Sequence, residues 1–99
     1  MLTKFVKVNA AQAKVLEAEK ELIKHLGVQF SAQDLEIDNL VYFYHVCKKA
    51  HQEAVEITEN FKYRNPKLMR NIQTLNQYGD VFRKELVRRG QDDLGPLPD

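Results

Sequence analysis

Three residues of this 99-residue chain have the type and spacing to bind a metal ion: His45, Cys47 and His51. Cys47 and His51 stand four apart, so on a helix both project from one face, and two ligands at that spacing can share a zinc ion. A structural zinc site needs four ligands, and His45 points well away from Cys47 around the helix. His25, on a different helix, could add a third ligand only in one register. Cysteine is among the most buried residue types and packs as a small apolar group. The same spacing therefore describes a core residue beside a histidine at the core edge. Core packing is the expectation, with no metal and no cofactor.

Carboxylates are the next candidates. Glu53, Glu56 and Glu59 step by three, and Glu17, Glu19 and Glu21 step by two. Glu53 and Glu56 have the Glu-x-x-Glu spacing with which helical pyrophosphohydrolases hold magnesium. No second pair of that kind lies on another helix, and both glutamates fall on a polar face. Cys47 is the single thiol, and nothing in its expected surroundings except His51 would lower its pKa. The chain has neither a glycine-rich phosphate loop nor a Gly-x-Ser-x-Gly elbow. The expectation is a protein that is not an enzyme.

Charge is distributed unevenly. Residues 65–90 hold six basic and two acidic groups, whereas residues 91–99 hold three acids and no base. Arg70, Lys84 and Arg88 line the face of the third helix opposite its apolar line, with Gln73 and Gln77 beside them. Such a stripe can contact phosphates of a nucleic acid backbone, and the acidic tail could fold back to shield it. Against that reading, no short recognition helix follows a tight glycine turn, and the aromatic residues do not interleave with the stripe.

Apolar residues also fall outside the core-forming faces. Tyr42 projects into the polar arc of the second helix next to Leu35. Val81 falls on the basic face of the third helix, and Met69 and Val87 share a line flanking its apolar seam. These five are the candidate contacts for another protein or for a second copy of the chain. The favoured function is a small protein-interaction module, meaning an adaptor, inhibitor or assembly subunit. Nucleic-acid association through Arg70, Lys84 and Arg88 is the alternative.

The elements that position these residues are helical. The first helix spans about Asn9 to Leu26, with Asn9 as a possible cap; a start near Thr3 is favoured over an extended arm. Ser31 followed by Asp34 reads as a cap for a second, continuous helix of about 30 residues, roughly 45 Å long. Its apolar arc covers more than half the circumference, which calls for neighbours on two sides. Phe30, before that cap, is placed to cover the bundle end. Asn65-Pro66 starts the third helix, with asparagine as cap and proline at its first position. Leu68, Ile72, Leu75, Gly79, Phe82 and Leu86 then form a heptad line of coiled-coil type. Gly79 on that line is expected to admit a close approach, with a kink as the second option.

Short connections between three helices imply an all-α, antiparallel three-helix bundle over residues 1–90. Residues 91–99 are expected to be a flexible acidic tail rich in proline and glycine. Hydrophobic residues make up 43% and charged residues 29% of the chain, with a net charge of +1. That balance excludes a chain whose charge alone names its partner. No apolar run approaches a membrane span and the N-terminus lacks a signal-peptide core, so a soluble cytoplasmic protein is expected.

Overall fold

The computed structural model describes residues 2–27, 30–63 and 65–91, with side chains from Val6 onward. It is an all-α three-helix bundle, 46 Å in its longest dimension. Helix α1 runs Leu2–Leu26, α2 Ile37–Asn60 and α3 Pro66–Arg88, with a single 3₁₀ turn at Ala32–Asp34 between α1 and α2. Side-chain bonds fix the directions. Lys14 meets Glu53 and Glu21 meets Tyr42, so α1 and α2 are antiparallel. Lys48 meets Asn76 and Asp80, so α2 and α3 are antiparallel too.

The core follows the apolar spacing. Val8, Ala11, Val15, Ala18 and Leu22 are buried on α1, and Leu40, Phe43, Cys47, Ala50 and Ala54 on α2. The whole heptad line of α3, from Leu68 to Leu86, is buried. The three interfaces are unequal. Helices α2 and α3 share the most extensive contact, α1 leans on α2, and α1 meets α3 least.

Helix α1 begins before Asn9, which lies exposed within it. The expected 30-residue second helix is broken. Leu35 (φ −89°, ψ 146°) and Glu36 (φ −72°, ψ 156°) are extended, and α2 starts only at Ile37, with 24 residues. Ser31 makes no side-chain cap bond. The break resets the helical phase, so Leu35 turns inward and packs partly buried against the core. Leu35 as a contact on the outer face of a continuous helix is thereby corrected. Phe30 does cover the bundle end, its ring stacked 5.6 Å from Phe82 and 5.9 Å from Tyr78.

The ends of α3 are as the residue types require. The Asn65 side chain accepts a hydrogen bond of 3.0 Å from the Leu68 amide. At the other end, Gly90 has φ +85°, while its N–H donates to Val87 and that of Gln91 donates to Leu86. That is the paired-bond stop which favours glycine in the left-handed position. Helix α2 ends with the same pair of bonds, Lys62 to Glu59 and Tyr63 to Thr58, but the left-handed residue there is Lys62, at φ 51°. The tail at 92–99, expected to be flexible, lies outside the described residues.

Candidate interaction surface

Cys47 and His51 face inward. Cys47 is fully buried, and burial pushes its thiol up to about 12, so it stays protonated at neutral pH. His51 is partly buried, with Nδ1 3.4 Å from the Ile72 carbonyl oxygen. Among the described residues no group of three or more His, Cys, Asp and Glu is placed to hold a metal ion. Glu53 is taken up by a 3.0 Å ion pair with Lys14, and Glu56 is exposed. No helix among the described residues is long and apolar enough to cross a membrane.

The five candidate contacts separate into three kinds. Val81 and Val87 are exposed on α3, each nearly half accessible. Tyr42 is half exposed, but its hydroxyl donates a 2.7 Å bond to Glu21 and its ring meets Phe43 edge-on. Glu21 accepting that bond raises the Tyr42 pKa above its ordinary range. Tyr42 is therefore already a strut between α1 and α2. Leu35 and Met69 are partly buried against the core and offer only part of their surface.

In the basic stripe, Arg70 and Lys84 are exposed. Arg88 is bound by Glu85, whose carboxylate accepts from its Nε and Nη2. Arg89 also donates to Glu85, at 3.1 Å, and carries its other end to the carbonyl oxygens of Gln33 (2.9 Å) and Ala32 (3.3 Å). Glu85 is itself buried, and chiefly the Arg88 bonds, with help from Arg89, draw its pKa down to about 2. This group ties the last turn of α3 to the 3₁₀ turn.

A second polar group lies between α2 and α3. A Cβ on Gly79 would sit 2.9 Å from Cε and 3.1 Å from Cδ of Lys48. Helix α3 runs unbroken through Gly79, so the approach it admits is that of the Lys48 stem. The stem crosses the glycine and delivers Nζ to Asn76 and Asp80, at 2.7 Å each. The Lys48 bond holds Asp80 below the usual carboxylate range.

The α1–α3 side is different. A cavity of about 200 Å³ opens there. Glu19, Leu22 and Ile23 line it from α1, and Asn71, Thr74 and Tyr78 from α3, with Gly27 and Phe30 at its end. Leu16 and Ile23 lie a heptad apart on the α1 lip, 40% and 52% exposed. Thr74 and Val81 lie a heptad apart on α3, with Val81 46% exposed. Glu19, between Leu16 and Ile23, is partly desolvated, and that burial raises its pKa. Leu16, Ile23, Glu19, Lys48 and Glu85 were not singled out from the sequence as contacts or ties. A signal existed for Glu19: its neighbours three and four residues away, Val15, Leu16, Leu22 and Ile23, are all apolar.

Comparison of the chain with protein-family models, curated proteins and solved structures found no match.

Proposed function

We propose that this chain is a non-enzymatic protein-interaction module that engages its partner along the α1–α3 side of the bundle. The observation carrying this reading is the line of exposed Leu16, Ile23 and Val81 along the least-packed helix pair, beside a lined cavity. Exposed aliphatic residues scattered singly are ordinary, but three along one open junction form a surface that a partner helix or strand can cover. The partner is another protein or a second copy of the chain.

Exposed Arg70 and Lys84 favour a second reading, in which the α3 face contacts nucleic acid phosphates. Its third cation, Arg88, is already met by Glu85, which weakens that line.

The test is affinity capture from the native cell lysate, with and without nuclease, comparing wild type with Ile23→Asp/Val81→Asp and with Arg70→Glu/Lys84→Glu. A discrete protein that survives nuclease and is lost with Ile23→Asp/Val81→Asp is the expected result. Sedimentation of the purified chain shows whether that protein is a second copy. Retention that disappears with nuclease and with Arg70→Glu/Lys84→Glu overturns the interaction reading in favour of the phosphate one.

A further inference from the structure

We infer that the α1–α3 cavity receives one arginine side chain of the partner protein, its guanidinium held by the Glu19 carboxylate and lying against the Tyr78 and Phe30 rings. The inference rests on the interaction reading above and specifies what enters its surface.

The first observation is an unmatched carboxylate. Glu21, Glu53, Asp80 and Glu85 lie at helix junctions, and each accepts a bond from a named donor. Glu19 also lies at a junction, between α1 and α3, but no donor among the described residues reaches it. Its helical neighbours at three and four residues supply no cation. A partly desolvated carboxylate is costly unless a donor meets it, and a charged donor does so best.

The second observation is the chemistry of the walls. Thr74 Oγ1 donates its proton to the Arg70 carbonyl at 3.0 Å, which leaves the hydroxyl oxygen as an acceptor. The Asn71 side chain supplies an amide oxygen, and Tyr78 and Phe30 supply ring surfaces. Acceptors with aromatic walls suit a cation, and a planar guanidinium can stack on a ring while donating in its own plane. An anion would face Glu19. An aliphatic plug would desolvate Glu19 further without giving it a donor.

The third observation concerns what flanks the arginine. Lys20, Arg70 and Lys84 are exposed around the α1–α3 side. A basic peptide would be repelled there, whereas a lone arginine set between acidic residues is matched at both levels. The partner segment is therefore acidic, with a single arginine.

The experiment titrates the isotope-labelled full chain with acetylated, amidated Glu-Arg-Glu and follows amide shifts by NMR. The controls are the same peptide with neutral citrulline in place of arginine, and Lys-Arg-Lys. Saturable shifts at residues 19, 23, 71, 74 and 78 are expected with Glu-Arg-Glu, with at least ~10-fold weaker binding for citrulline and for the Glu19→Gln protein. Tyr78→Leu, which keeps an apolar wall but removes the ring, is expected to weaken binding by about 2- to 5-fold. No saturable shift at those residues, equal binding of the citrulline peptide, or tighter binding of Lys-Arg-Lys overturns the inference. The peptide titration and the lysate capture are independent, so an arginine site that fails is distinguishable from an interaction surface that fails.

Discussion

The α2–α3 and α1–α3 sides use the same helices for opposite ends. Between α2 and α3 an unbroken apolar seam is buried, Lys48 lies over Gly79 with its ammonium met twice, and Glu85 is met by Arg88 and Arg89. Between α1 and α3 the apolar residues stay half exposed around a cavity, and Glu19 has no donor among the described residues. Charge at a helix junction is thus not one kind of feature. Where its partner comes from the same chain, it fastens the fold. Where that partner is lacking, the charge weakens the fold and leaves a place for something else.

The largest effect separates the two sides directly. Leu75→Ala, at a fully buried seam position, is expected to lower the unfolding free energy by about 2–5 kcal/mol. Ile23→Ala, on the open lip, is expected to cost less than about 0.5 kcal/mol. Urea unfolding of both variants measures this. Equal losses would mean that the α1–α3 side is as closed in solution as the other.

Lys62→Gly comes next. The α2–α3 connection holds a lysine in left-handed backbone, so glycine there is expected to stabilise the chain by about 1 kcal/mol in the same urea assay. Unchanged stability would show that contacts around the turn already compensate for the strain.

The Lys48–Gly79 contact is tested by a double-mutant cycle. Gly79→Ala alone gains helix propensity but displaces the lysine stem, so its net effect is expected to be near zero. In a Lys48→Ala background the same change is expected to gain up to ~1 kcal/mol. Additive effects would show that the stem does not depend on the glycine.

The smallest effects concern the two carboxylates and have opposite signs with pH. Burial raises Glu19, so its contribution is unfavourable when ionised, and stability is lost as pH rises from its ordinary 4.5 through the folded value. Glu19→Leu is expected to stabilise the chain by about 0.5 kcal/mol at neutral pH and to remove that loss. Glu85 is drawn down to about 2, so its contribution is present above its ordinary 4.5 and is lost as pH falls towards 2. Thermal melts across this acid range are expected to flatten in Glu85→Gln. A Glu19→Leu variant less stable than wild type would mean that Glu19 has a partner in the folded chain.

Local rules of spacing and capping were enough to determine the three helices, the buried α3 seam, the Asn65-Pro66 start and the Gly90 stop. Those features depend on residues within a turn or two of one another, and the sequence displays them. The break at Leu35–Glu36 depends on distant chain. Arg89 draws the carbonyl oxygens of Ala32 and Gln33, and the core takes in Leu35, so a serine cap that was locally adequate went unused. Tertiary structure likewise decided the uses of Tyr42, Arg88 and Lys48, whose partners lie outside any apolar pattern or, for Arg88, one turn away on a face read as free. It also decided which side of the bundle stayed open, because helical periodicity marks the face a helix buries but not how closely each neighbour covers its edges.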